Sequence, residues 1–278
     1  MDQVEALRQT EDPAARARQA SQLVSLHQDA ITEISAIRRE ALDELVAQGL
    51  THKEIASLIG ATRARVGQLL SSGPQPERAL FGSGTITIAV GGKPEPGRAN
   101  PSTMVSAETF GAYEKLAKAA GELGLKTEYE VIPPPGLVHL NRANLIVLTS
   151  PRLLPLVGQV LEADPHIGFT NDESGWFLTN RTTGEDFRSP SDAGEHADYG
   201  YIGRLPRPDR SGTFLYVAGI HAMGTLGSAT YLAENVDTIY KEVKRKRWSA
   251  LVRCDYAPDT RTVTSTTLAT PIYRHEGF

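Results

Sequence analysis

The stretch Ser71-Ser72-Gly73-Pro74-Gln75-Pro76-Glu77 divides this chain between two kinds of hydrophobic pattern. Its prolines and glycine cannot extend a helix, and its polar residues leave it little to bury. Before it, apolar residues recur every three or four positions; beyond Phe81 they alternate, which is the change from helical to strand periodicity. A length of 278 residues also suits two domains at roughly 150 residues each. We expect a helical domain over residues 1–72, a linker over 73–82 and an α/β domain over 83–278.

From Ala20 to Gln48 there is neither glycine nor proline, and Leu23, Leu26, Ala30, Ile34, Ile37, Ala41 and Leu45 fall on one helical face. Such a stripe must be covered, either by the short helices that follow or by a second copy, so a homodimer is expected. Gly49 supplies a stop, and Thr51-His52-Lys53-Glu54 has the capping-box pattern that starts the next helix.

Between Thr51 and Leu70 the spacing suits two short helices packed across a tight turn. Ala56 is small enough for close contact, Gly60 can turn left-handed, and Val66 closes the core, with Ile55, Ile59 and Leu69 adding apolar contacts. Thr62 is placed to cap the second helix. Arginine and glutamine on that helix suit the acceptor and donor edges of guanine and adenine in a major groove. The segment LVAQGLTHKEIASLIGATRARVGQLLSSGPQPERALFG resembles the sigma-factor-like helix-turn-helix of actinobacterial regulators, a likeness covering about the first third of the chain. It implies double-stranded DNA as partner, contacted by Thr62, Arg63, Arg65 and Gln68 and no further residue; Lys53 on the preceding helix is a separate candidate contact.

In the second region, Thr85–Val90, Lys126–Ile132, Asn144–Thr149, Tyr199–Leu205, Thr213–Ala218, Ser249–Tyr256 and Thr262–Leu268 read as strands. Helices are expected over Ser106–Gly121, Leu153–Ala163 and Met223–Val243, and short hairpins over Ile167–Arg188. This alternation implies a Rossmann-like, largely parallel sheet with antiparallel additions. In such sheets ligands settle beyond the carboxyl ends of the strands. Three loops fall there: Gly91-Gly92-Lys93, Ser150-Pro151-Arg152, and the run from Gly219 through His221, Gly224 and Thr225. Gly91, Gly92, Lys93, Ser150, Arg152, His221, Gly224 and Thr225 are therefore candidate ligand residues for a nucleotide-like or other anionic effector, held by backbone amides at a helix start. Small residues at Gly224, Gly227 and Ser228 would equally let a helix lie close to a sheet. LIVLTSPR and VAGIHAMGTLGSATYL resemble stretches of the α/β domains that follow this helix-turn-helix in related actinobacterial proteins, a likeness that implies architecture but no ligand.

Cys254 is the only cysteine, so neither an intrachain disulfide nor a cysteine-based metal cluster can form. The charged N-terminus and the lack of a long apolar run argue against secretion and membrane insertion, and a cytoplasmic location is expected. A formal charge of −4 restricts any DNA contact to a local surface. No metal, resident cofactor or catalytic set is expected; the acid pairs Asp172-Glu173 and Glu185-Asp186 read as hairpin composition, and the basic run Lys244–Arg247 as a helix end that could touch phosphates. The leading expectation is a dimeric transcription regulator. An enzyme acting on a nucleotide or sugar phosphate, with His221 as acid or base and Arg152 holding charge, and a ligand-free scaffold are the alternatives.

Overall fold

A computed structural model describes residues 3–275, and the chain divides into two compact units at Pro76/Glu77.

The first unit is helical throughout: α1 (Gln3–Arg8), α2 (Pro13–Ala47), α3 (His52–Ile59) and α4 (Arg63–Ser72). Helix α2 starts earlier than periodicity alone suggests, because the Asp12 carboxylate accepts the amides of Ala14 and Ala15 and Pro13 occupies the first turn. Its 35 residues span about 52 Å at 1.5 Å per residue. Helices α3 and α4 cover only its last turns, through a core of Leu42, Ile55, Ala56 and Val66 with Leu45, Leu50, Leu69 and Leu70 at the margin. The expected stripe is therefore corrected. Leu42 and Ala36, which lie outside it, are buried, whereas Leu26, Ile34 and Ile37 stay exposed together with Val24 and Ile31. Ile59, the last residue of α3 and expected in the core, is also exposed. The Arg39 guanidinium donates to the Gly73 carbonyl at 2.6 Å, tying the end of α4 to α2.

The second unit is mixed α/β. Its elements are β1 (Thr85–Gly91), β2 (Lys93–Pro94), β3 (Thr103–Met104), α5 (Ala107–Glu122), β4 (Lys126–Ile132), β5 (Leu145–Leu148), α6 (Pro155–Leu161), β6 (Ile167–Asp172), β7 (Gly175–Asn180) and β8 (Glu185–Arg188). After these come β9 (Ala197–Pro206), β10 (Thr213–Gly219), α7 (Ala222–Glu234), α8 (Val236–Val243), β11 (Trp248–Tyr256), β12 (Val263–Leu268) and β13 (Tyr273–Arg274). The main sheet runs β12-β11-β9-β10-β5-β1-β4, with β13 also on β11. Strands β4, β1, β5 and β10 are parallel, and β9, β11 and β12 continue the sheet antiparallel.

Alternation along the parallel strands sorts their side chains into two cores. Ile86, Ile88, Val90, Ile146, Leu148, Leu215 and Val217 face α5, α7 and α8. Ala89, Leu145, Val147, Phe214, Tyr216 and Ala218 face α6 and the small antiparallel sheet β6-β7-β8. Strand β5 is buried along its whole length, as a central strand covered on both faces must be. The helix expected from Met223 to Val243 breaks at Asn235, whose side-chain amide donates to the Tyr231 carbonyl at 2.9 Å and so ends α7. The segment expected as linker through residue 82 is largely folded. Pro76–Leu80 forms a 3-10 turn, Leu80 and Phe81 enter the core, and buried Arg204 on β9 donates to the carbonyls of Ala79 and Leu80 at 2.7 Å each.

Two glycines of the first unit separate conformation from space. Gly60 has φ +66° with open space around it, whereas Gly67 lies inside α4, also with open space. Gly60→Ala should destabilise α3–α4 by about 1–2 kcal/mol through the left-handed turn, and Gly67→Ala should stabilise by up to about 1 kcal/mol. Native-state hydrogen exchange of α3 and α4 amides in the full chain reads both; shifts of the same sign would contradict this assignment of the turn.

Candidate functional site

The turn between α3 and α4 presents the first candidate surface. Thr51 opens α3 with a complete capping box: its amide donates to Glu54 Oε2 at 2.8 Å and its hydroxyl to the same oxygen at 2.7 Å. These bonds hold the Glu54 carboxyl below its ordinary value. Gly60 closes α3 in the left-handed conformation, and Thr62 caps α4 by accepting the Arg65 amide. With Val66 fully buried, the residues about half a turn away, Ala64 and Gln68, face outward. Thr62, Arg63, Arg65, Gln68 and Lys53 are all exposed. Arg65 Nη1 donates to Gln68 Oε1 at 3.2 Å, so these two side chains share one patch, with Arg63 at the start of the helix. The surface carries exposed hydrogen-bonding groups.

The second candidate lies in the α/β unit at the carboxyl ends of β1, β5 and β10. Connections from β1 and β5 leave toward opposite sides of the sheet, β4 lying beyond β1 and β10 beyond β5, which opens a crevice between them. Gly91, Lys93, Ser150, Arg152, His221 and Thr225 converge on this crevice, joined by Thr149, Gly219 and Ala222. Gly92 and Gly224 do not line it. The Gly92 amide donates to the Ile132 carbonyl, and a Cβ there would collide with Thr103; one on Gly224 would collide with Tyr199 and Asp198. Both glycines serve packing. The cleft measures about 40 Å³, room for a small oxyanion or a few waters, and far below the ~300 Å³ at which sites for drug-sized ligands begin. A nucleoside does not fit it.

Much of the start of helix α7 is already satisfied. Asp198, fully buried on β9, accepts the amides of His221 and Gly224 on Oδ2 at 3.0 and 2.7 Å and that of Tyr199 on Oδ1. An internal carboxylate thus takes two amides that sequence reasoning reserved for a ligand. Burial raises the Asp198 carboxyl above its ordinary value, outweighing the amide bonds and the neighbouring His221 that lower it. Thr225 Oγ1 accepts the Gly219 amide at 2.8 Å. The His221 ring meets Asp192 Oδ1 at 2.8 Å through Nε2.

Thr149 escaped the sequence reading. It is 4% exposed and its hydroxyl has no hydrogen-bond partner, although it lines the cleft. Its side chain fills the space that a Cβ on Gly91 would take, which explains the glycine. Asp198 had a signal, since a carboxylate inside the apolar strand ADYGYIGRL must find donors if that strand is buried. Asp192 had none. Cys254 is inert: its thiol is buried against the Met223 carbonyl, and burial pushes it up to about 12. Among the described residues, no group of three His, Cys, Asp or Glu side chains is placed to hold a metal.

The raised Asp198 carboxyl gives a sign to a pH effect. The folded chain holds this proton more firmly than the unfolded chain, so the contribution is full below the ordinary carboxylate value and is lost as pH rises through the shifted one. Asp198→Asn, which keeps an acceptor, should flatten that decline. Thermal melts from about pH 4 to 8, bracketing the ordinary carboxylate and histidine ranges, check this, and parallel curves for both proteins would refute it. In comparisons with known proteins, no family model, curated protein or solved structure matches the chain.

Proposed function

We propose that the chain is a sequence-specific DNA-binding transcription regulator that acts as a homodimer and senses a small oxyanion through a Rossmann-like α/β domain. The observation that carries the DNA reading is the α3–Gly60–α4 arrangement: a left-handed glycine turn, a threonine cap, and a second helix whose buried Val66 leaves Arg65 and Gln68 outward. This arrangement supports a helix-turn-helix reading, in which the second helix would enter the major groove and its N-terminal residues would meet base edges. Its likeness in sequence to sigma-factor-like segments points the same way. Pairing follows from α2, whose exposed Val24, Ile31, Ile34 and Ile37 form an apolar face suited to a second copy of the same helix. A two-fold dimer then reads two half-sites, and the protein works in the cytoplasm, where the chromosome lies.

The cleft supplies the sensing element. Lys93 and Arg152 offer positive charge, Thr149 a buried donor without a partner, and the first amides of α7 beyond those taken by Asp198 a favourable dipole. Phosphate or sulfate is of the right size. A ligand bound there shifts DNA affinity only through different affinities for the DNA-bound and free arrangements.

An enzymatic reading has one observation in its favour, the contact between His221 and Asp192 beside the cleft, which would orient an imidazole for proton transfer. Turnover of a sugar phosphate by pure protein, lost in His221→Ala, would establish it.

Genome-wide occupancy in the source organism, run beside an Arg63→Ala/Gln68→Ala variant, tests the main reading. Discrete sites sharing a two-fold motif should appear and vanish in the variant, each base contact contributing about 1–3 kcal/mol of discrimination; an absence of enriched sites would refute DNA recognition. For the cleft, Thr149→Val should raise the melting temperature of the ligand-free protein by removing an unsatisfied hydroxyl. The same change should abolish the further rise that phosphate gives to the unaltered protein. If phosphate stabilises neither protein, the oxyanion assignment is wrong.

A further inference from the structure

At the opposite end of β10 lies a much larger pocket, of about 750 Å³. It opens between one face of α6, the β9–β10 loop from Pro206 to Thr213, and Arg245, Lys246 and Arg247 ahead of β11. Leu156, Val160, Ala163, Pro206 and Pro208 supply apolar surface, and Arg207, Arg210 and Lys246 join the two flanking arginines as cations around it. The β9–β10 loop is built to present its charge. Arg207 and Gly212 are joined by a backbone bond of 2.8 Å, and the Arg207 guanidinium lies 3.0 Å from where a Cβ on Gly212 would stand, so it packs closely on the glycine. The one acid of the loop, Asp209, is turned into it, accepting the Ser211 amide and hydroxyl at 2.9 and 2.8 Å. Arg210 has φ +59°, a conformation an arginine rarely adopts, and it lines the pocket.

We infer that this pocket binds a small molecule with a flat apolar body and several negative charges, of which a nucleoside polyphosphate is the fitting class. A volume of this order is that of a site for drug-sized ligands. Guanidinium groups suit phosphate oxygens by geometry as well as charge. The apolar wall argues against a bare polyanion, for which Leu156, Val160 and the prolines would contribute nothing. The site is separate from the oxyanion cleft: β10 runs from Thr213 at this pocket to Gly219 at the cleft, about 20 Å at 3.3 Å per residue.

Isothermal titration calorimetry on the full chain with ATP, inorganic tripolyphosphate, adenosine and a short DNA duplex tests the inference. ATP should bind, tripolyphosphate more weakly by about tenfold for want of the ring, and adenosine not measurably. Arg210→Gln/Lys246→Gln changes exposed side chains and should raise the ATP Kd about tenfold or more with an unchanged circular dichroism melt. Arg152→Gln, in the cleft, should leave it unchanged. Absence of ATP binding, equal affinity for tripolyphosphate, an unaffected Arg210→Gln/Lys246→Gln variant, or displacement of ATP by the duplex would each overturn the inference.

Discussion

The α/β unit depends on how closely α7 lies on the antiparallel half of its sheet. Gly200 on β9 lies against Ser228 and the Gly224 carbonyl, Gly224 against the Tyr199 carbonyl and the Asp198 carboxylate, and Gly227 against Cys254 on β11; a Cβ at any of these would collide. Helix and sheet meet backbone to backbone, and the helix is buried along most of its length. Contact this close brings the first turn of α7 within reach of a side chain on the sheet. Asp198 takes that place, satisfying amides that would otherwise be buried without acceptors. The carboxyl end of β10, and with it the cleft, is fixed by the same contact.

A second constraint acts where the chain enters this unit. Arg204 is buried and its pKa is lowered to about 10, chiefly by burial, yet it remains charged at neutral pH and needs acceptors. It finds them in the carbonyls of Ala79 and Leu80. A charged group inside a protein is tolerated only when bonded in this way, so the Pro76–Leu80 turn and β9 depend on one another. The sequence stretch with the strongest signs of a linker therefore becomes structure over its second half.

What could be read from the sequence follows what local pattern encodes. Runs such as Thr85–Val90 and Asn144–Thr149 name their own conformation, because alternation and unbroken apolarity mean the same thing wherever the strand lies. Thr51, Gly60 and Thr62 were legible for a similar reason: caps and left-handed turns are governed by residues within three or four positions. The loops that converge on the cleft could be named from strand ends alone, which is why Lys93, Ser150, Arg152 and His221 meet there. Thr149 was not legible, and Asp198 only as a carboxylate in need of donors, since each acts on a partner far away in sequence, Gly91 in one case and Gly224 in the other. The stripe on α2 was legible only in part. Helical spacing shows that a face is apolar but not which part of it is covered, and α3 and α4 are too short to reach beyond its last turns.

Charge constrains the proposed DNA reading further. Residues 1–80 carry nine Lys and Arg against eleven Asp and Glu, so one copy gathers little of the counterion release on which most DNA affinity rests. Affinity must then come from base contacts at α4, and a single recognition helix offers few. Joining two copies makes the second binding event intramolecular and multiplies affinity without adding a contact to either half. The exposed apolar face of α2 supplies the means for such joining, and the short reach of α3 and α4 is what leaves it open. Under the proposed reading, the face that the three-helix core does not cover is the one that would let a head of net negative charge recognise DNA.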